Sequence, residues 1–513
     1  MKKRIRSCSL CGYSTNDWHQ FGFAGCARCY DEFGVLAEQA IACTNGRMRH
    51  CGKIPLVNNP SRISKKEILV EEPGFPAAQK HECSLPGSQY TGGIKEKLHL
   101  KQNLEDGLFP SVREFTGNGQ GGISYRKGRT TDTTSAFVSS RPLPEMSHSL
   151  WRNVNGMERA IHGFSSEMAG ISSSFQKFVT NKTRPQDGIV FNVRLRLARN
   201  LASYPFPHQM SIEQGWDVAE EVVSCVRSLF GRKADVFLMD ALSQEACRFL
   251  VEQHIVSPEF AEPGIARCLV CLPDGVRILV NEEDHIRLYL DCKPDQMVAA
   301  WDILNALDDR IGADVTFAFH RFYGYLTSCP TNVGTGLRVS ALMCLPALHI
   351  TGQLKDLLSA LDCQDVLVRG FYGEGTGNLG SIYQISTGPN LGKTEIDICK
   401  EFEAVINTII DRERCAAQKI RAGYVRTCIN KFMTWLHQTR TVSFHSGIEL
   451  VTLLLLGQNL GIIQVEGQTL AELFYSVLPA SLCVDEGRVL KGAGFGHARA
   501  GLIKRRLQEL GIY

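Results

Sequence analysis

The chain has 513 residues, more than one hydrophobic core normally organises, so two or three domains are expected. Apolar residues make up 44% and charged residues 21%, and the formal net charge is only +3, a balance that argues against a polybasic binder of nucleic acid or of a membrane surface. The 19 cysteines, an odd number scattered through apolar segments, suit the reduced thiols of a cytoplasmic protein better than a disulfide framework.

In chain order, the basic start Met1 to Arg6 runs into Cys8 instead of an apolar signal-peptide core, so export is not expected. Residues 1–55 read as a compact cysteine-rich module. Cys8-Ser-Leu-Cys11 and Cys26-Ala-Arg-Cys29 each have the two-residue gap that lets two thiolates converge on one tetrahedral metal, and Gly12 and Gly25 supply tight turns beside them. Four thiolates leave no open position, so a bound Zn2+ would be structural. Cys268-Leu-Val-Cys271 repeats the spacing without a partner pair, inside an apolar run that reads as a buried strand.

Residues 56–185 are dense in Gly, Pro, Ser, Thr and charge and read as a low-complexity linker, with short helices conceivable at 94–115 and 145–180. From 186 to 416 strands and helices mix without regular alternation, which points to an α+β domain. Gly215 to Phe230 places Val218, Val222 and Val226 on one helical face, and Gly231 ends it. Strands are expected at 276–280 and 316–325, and helices near 295–307 and 395–420. Residues 417–513 read as almost all helix. The longest apolar run, Leu450 to Leu456, is far shorter than the ~20 residues that span a bilayer, so it reads as a buried helix and no membrane association is expected.

Moving a phosphoryl group from ATP requires cations around the triphosphate, Mg2+ between phosphates, and a carboxylate to position the nucleophile and take its proton. Gly388 to Thr394 is one residue short of a Walker A loop, and no other glycine-rich phosphate loop is present, so side chains must hold the phosphates. Arg194, Arg196, Arg199, Arg287, Arg338 and Arg369 are candidates, because a guanidinium fork pairs with phosphate oxygens and stays charged. Glu282, Glu283 and Asp284 follow an apolar strand, and Glu374 lies in a glycine-flanked loop. Each of these segments taken alone also suits a solvated turn or a surface arginine.

Cys329-Pro-Thr-Asn-Val-Gly-Thr335, with Asn-Glu-Glu-Asp-His-Ile-Arg287 before it and an Arg-Gly-x-x-Gly-Glu374 segment after it, resembles the ordered signatures of phosphagen (guanidino) kinases. Within that family the match over 186–513 is to the bacterial protein-arginine kinases. The resemblance implies a catalytic domain built on an antiparallel sheet flanked by helices, followed by a helical C-terminal region that forms a homodimer. It gives Glu283 to proton abstraction, Glu374 to substrate positioning and Cys329 a place beside the acceptor guanidinium. Nucleotide contacts are implied along Asn192, Val193, Arg194, Leu195 and Arg196, at His254 and Arg287, along Arg338, Val339, Ser340, Ala341 and Leu342, and along Arg369, Gly370, Phe371, Tyr372, Gly373 and Glu374. Residues 8–55 resemble a zinc-finger module of the activator of those kinases, which gives Cys8, Cys11, Cys26 and Cys29 to Zn2+.

The implied function is Mg-ATP-dependent phosphorylation of arginine residues in proteins, in protein quality control or stress response, with a Clp-type chaperone or protease as a candidate partner. Free arginine as acceptor and a non-catalytic nucleotide-binding adaptor are the alternatives. Two departures bear on this. Asn192-Val193-Arg194 stands where the family has Ser-Ser-Arg, and the C-terminal phosphoarginine-reading motif keeps only Arg499 and Ala500. Tyr323 also replaces an expected arginine.

Overall fold

The structure is a computed structural model and describes residues 6–46, 49–55, 188–362, 366–371, 380–465 and 467–512. The linker with its two conceivable helices, and Tyr372, Gly373 and Glu374, lie outside the described residues.

In residues 193–198 and 286–292 polar and apolar side chains alternate, a pattern that buries one face of a strand and frees the other. These segments lie in β1 (Val190–Arg199) and β5 (Ile286–Cys292), neighbours near the middle of an eight-stranded sheet. Its other members are β2 (Asp235–Leu238), β3 (Cys268–Cys271), β4 (Arg277–Val280), β8 (Leu337–Cys344), β9 (Val366–Arg369) and β10 (Ile382–Thr387). The spatial order is β2-β3-β4-β5-β1-β8-β10-β9, and every pair is antiparallel.

The expected strand over 316–325 is instead a short hairpin, β6 (Phe319–His320) and β7 (Gly324–Tyr325). Gly324 explains the break: its φ is +80°, and a Cβ there would stand 2.5 Å from the Gly334 carbonyl oxygen and 2.6 Å from His50 Nδ1.

One face of the sheet is apolar. Val193, Leu195, Leu197, Leu288, Val339, Ala341 and Met343 are essentially inaccessible and share one core with the helices laid over them. In chain order the helices are α1 (Thr15–Phe21), α2 (Ala27–Glu32), α3 (Val35–Asn45), α4 (Ile212–Phe230), α5 (Gln244–Glu252), α6 (Pro258–Ala261), α7 (Met297–Asp314), α8 (Pro346–Ile350), α9 (Leu354–Asp362) and α10 (Glu395–Gln418). Helix α4 begins with a capping box, Ser211 accepting from the Gln214 amide, and buries Val218, Val222 and Val226 as the periodicity requires. Five further helices follow: α11 (Ala422–Gln438), α12 (Phe444–Asn459), α13 (Gly467–Ser476), α14 (Pro479–Glu486) and α15 (Gly494–Glu509). They join the same apolar core, and Leu450 to Leu456 lie buried in α12. No helix among the described residues is long and apolar enough to cross a membrane.

The N-terminal module, α1 to α3, packs a second cluster in which Trp18, Tyr30, Ala37 and Ile41 meet Phe206, Tyr323, Leu326, Val333 and Leu391 of the sheet domain. Tyr323 is therefore an apolar contact for the module, and its hydroxyl lies 3.5 Å from Glu38.

Candidate active site

The second face of the sheet carries the charged residues. Register places Arg194 opposite Asp291 and Arg196 opposite Tyr289 on β5, and Arg196 opposite Arg338 and Arg194 opposite Ser340 on β8. Arg287 stands opposite Ala198, one step further along the same face. Four arginines from three adjacent strands thus project to one side.

Their partners differ. Arg194 is satisfied internally: Nε and Nη2 donate to the two Asp291 carboxylate oxygens at 2.6 and 2.9 Å, Nη1 donates to the His254 carbonyl, and the guanidinium lies 4.1 Å over the Tyr289 ring. Arg287 pairs with Glu282 at 2.5 Å and Glu283 at 3.4 Å. Arg196 reaches the Ser340 hydroxyl at 3.3 Å, while its buried Nε has no hydrogen-bond acceptor among the described residues. Burial together with Arg287, Arg338 and Arg194 pushes its pKa down to about 9. Arg338 is lowered likewise, by burial and then by Arg369. Among the described residues no carboxylate forms an ion pair with Arg196 or Arg338, and two adjacent guanidiniums held this way suit an anion.

The acidic segment forms the turn between β4 and β5, with Asn281 at φ +59°. Asp284 is fully buried; its Oδ1 accepts from Asn200 Nδ2 at 2.6 Å and from the Ser328 amide at 2.8 Å. His285 is locked beside it, its amide donating to Asn200 Oδ1 at 2.8 Å and its Nδ1 accepting from the Leu201 amide at 3.0 Å. These anchors leave Glu283 pointing outward, with 36% of its side chain accessible, between Arg287 and Asn332 Nδ2 at 3.4 Å. The surrounding protein and the neighbouring Asp284 nevertheless push its pKa up to about 7.

The loop carrying Cys329 lies against this turn: the Ser328 hydroxyl donates to the Glu283 carbonyl at 2.7 Å, and Cys329 Sγ is 2.9 Å from the Thr331 hydroxyl. Burial and then Glu283 push the Cys329 thiol up to about 11, so it is a neutral thiol at physiological pH.

The other residues singled out by sequence fall into four groups. Val193, Leu195, Val339 and Ala341 point into the helix-covered core, so only their backbone borders the charged face. Asn192 and Leu342 oppose each other at the lower end of that face, 7% and 5% accessible. His254, at φ +54°, packs edge-on against Phe371 at 4.4 Å, and Phe371 meets Phe474 of α13 at 5.2 Å. Arg369 pairs in register with Gln384 on the outermost strand, followed by buried Gly370.

Several residues of this face were not identified from sequence. Asp291 and Tyr289 share the alternation that exposes Arg287, and that period of two was the available signal. Tyr30 and Asn45 of the N-terminal module, which bond to the Cys329 loop, carried none. Arg199, grouped with the phosphate candidates, points the other way, into a buried bidentate pair with Asp308 at 3.0 and 3.1 Å.

In the N-terminal module the thiols of Cys8, Cys11, Cys26 and Cys29 all lie within 4.8 Å of one another, and among the described residues this is the one such cluster. Sulfur separations of 3.5 Å for Cys8–Cys26 and Cys11–Cys29 and 3.8 Å for Cys26–Cys29 are too long for disulfides. They match the roughly 3.8 Å edge of a tetrahedron of sulfurs about a metal, so the cluster can hold one ion. Cys268 and Cys271 by contrast are buried along β3, where burial pushes both thiols up to about 12.

Residues 217–416 match the family described as ATP:guanido phosphotransferase, C-terminal catalytic domain. The protein-arginine kinase of Halothermothrix orenii is 36% identical over 329 residues, 63% of this chain and 94% of that relative. That of Halalkalibacterium halodurans is 34% identical over 349 residues, 65% and 98% of the two chains. Among solved structures, lombricine kinase aligns with 46% of this chain and 70% of its own, at 22% identity and a TM-score of 0.40.

Proposed function

This chain belongs to the ATP:guanido phosphotransferase family, and we propose that it transfers the γ-phosphoryl group of ATP to the guanidino groups of arginine residues in proteins. The observation that carries this reading is the opposed pair Arg196 and Arg338, with Arg287 alongside and Glu283 at the edge of the same cationic face. The names of the relatives support protein arginine as acceptor.

Triphosphate oxygens would lie along Arg196, Arg338 and Arg287, with Arg369 closing the outer strand. Mg2+ brought with the nucleotide would supply further charge neutralisation to the triphosphate beside these arginines. The acceptor guanidinium would enter beside Glu283, Asn332 and the Cys329 thiol. A guanidinium is a poor nucleophile while protonated, so Glu283 takes one N–H proton as that nitrogen forms its bond to the γ-phosphorus. The bond from phosphorus to the bridging oxygen breaks, its electron pair leaves with ADP, and the arginines stabilise the charge on the transferring group. Glu374 retains its proposed role of orienting the acceptor, and a structural zinc is proposed for the four-thiol cluster.

Purified protein incubated with Mg-ATP and casein should yield acid-labile phosphoarginine by mass spectrometry, and Glu283→Ala should not. Equal signal from wild type and variant would overturn the reading. Competition by millimolar free arginine that suppresses casein labelling would instead point to the free amino acid as acceptor.

A further inference from the structure

We infer that the N-terminal four-cysteine module is a working part of the active site, holding the Cys329 loop in place, with Tyr30 and Asn45 as positioning residues. This rests on the kinase reading for its consequence in catalysis, though not for its structural content.

The loop carbonyls of Thr327, Ser328 and Pro330 all accept from the module. The buried Tyr30 hydroxyl donates to Thr327 O at 2.8 Å, the Ala24 amide to Ser328 O at 3.0 Å, and Asn45 Nδ2 to Pro330 O at 3.1 Å. From the opposite side the same loop is held by the acidic turn, Ser328 giving its amide to Asp284 and its hydroxyl to the Glu283 carbonyl. The segment that presents Cys329 and Asn332 to the acceptor is therefore sandwiched between the module and the catalytic carboxylate. Stripped of the module, it would leave these carbonyls and apolar Leu326 and Val333 uncovered.

The metal cluster feeds directly into this contact. Cys26 caps α2 and Cys29 lies within it, so ligation would fix the helix, and Tyr30 is the next residue. A second attachment prevents the module from rocking. Lys53 donates from its backbone amide to Glu395 at 2.9 Å, and its ammonium bridges Asp308 at 2.9 Å and Asp309 at 2.7 Å on α7. Gly52 sits where any Cβ would come within 2.7 Å of Glu395 Oε1 and Thr335.

The test uses the full chain and two variants, Tyr30→Phe and Asn45→Ala, each removing one donor to the loop. Amide exchange of residues 326–333 should speed up about tenfold and kcat should fall about tenfold, while the Kd for Mg-ATP, the unfolding midpoint and the metal content stay at wild-type values. Removing the metal with a chelator should accelerate exchange in the same segment. Unchanged exchange and unchanged kcat in both variants would overturn the inference, as would a parallel loss of ATP affinity or of global protection. If wild type proves inactive as a kinase, the exchange measurement still decides whether the module holds the loop.

Discussion

Arg196 and Arg338 stand directly opposite each other across β1 and β8, a like-charge pair on a part-buried sheet face. Like charges in register are unfavourable, and burial adds the cost of withdrawing each guanidinium from water, which is why Arg196 falls to about 9. On the proposed reading, the arrangement sacrifices stability of the free protein for affinity toward the triphosphate. Arg196→Met should therefore raise the unfolding free energy without nucleotide by about 1 kcal/mol. It should also abolish most of the thermal stabilisation that Mg-ATP gives the wild type. Calorimetry with and without Mg-ATP checks both halves, and a variant less stable than wild type without nucleotide would contradict the argument.

Glu283 links activity and stability to pH with opposite signs. Its pKa rises from the ordinary 4.5 to about 7, first through burial and then through Asp284. A raised acid binds its proton more tightly in the folded state, so its contribution to stability is complete below about 4.5 and is lost as pH climbs through 7. The base form that the proposed mechanism requires appears over the upper part of that window. We expect kcat/KM to rise through an ionisation near 7 while stability declines. Glu252 and Glu413, both pushed up to about 7 chiefly by burial, add to the same decline, so the comparison that isolates Glu283 is wild type against Glu283→Gln. The variant should lose at least about a hundredfold in rate and show a shallower stability slope between pH 5 and 8.

Local patterns made much of this site legible in the sequence, because a strand that alternates arginine with leucine can expose only one set. The alternation in residues 193–198 and 286–292 assigns Arg194, Arg196 and Arg287 to one face, and the spacing of four cysteines points to the four-thiol cluster. What could not be read were the relations that depend on tertiary placement. Arg194 and Asp291, 97 residues apart, find each other only through strand register. Tyr30 reaches Thr327 across 297 residues of sequence. Arg199 looked like its neighbours in composition, yet at the end of β1 it turns into a buried pair with Asp308. The single strand expected over 316–325 failed because Gly324 adopts a positive φ that no alternation pattern reports.

The four-thiol cluster predicts one metal per chain. Zinc measured by plasma mass spectrometry should be stoichiometric in wild type and lost in Cys26→Ser, whereas Cys268→Ser, although it disturbs an identical two-residue spacing, should retain the metal. Cys268 lies in a buried strand and, among the described residues, belongs to no group of three or more side chains that could share an ion. Loss of zinc from Cys268→Ser with zinc retained in Cys26→Ser would reverse this assignment.

The Arg194–Asp291 pair separates fold from chemistry on the cationic face. The side chains are 13% and 10% accessible, and every arm of the guanidinium is engaged, by the Asp291 carboxylate and the His254 carbonyl. Removing one member of such a pair leaves a buried charge without its partner, so Arg194→Met should cost about 3 kcal/mol in urea denaturation. Replacing both, as Arg194→Met with Asp291→Leu, should recover most of that loss, since two apolar side chains of similar volume remove the desolvation penalty along with the attraction. The recovered double variant then serves as the test for nucleotide. If Arg194 acts through the fold, its Kd for Mg-ATP should stay within about threefold of wild type, while Arg338→Met should weaken binding at least about tenfold. A tenfold loss in the double variant at restored stability would instead return Arg194 to the phosphate-binding set, with Asp291 as its holder between turnovers.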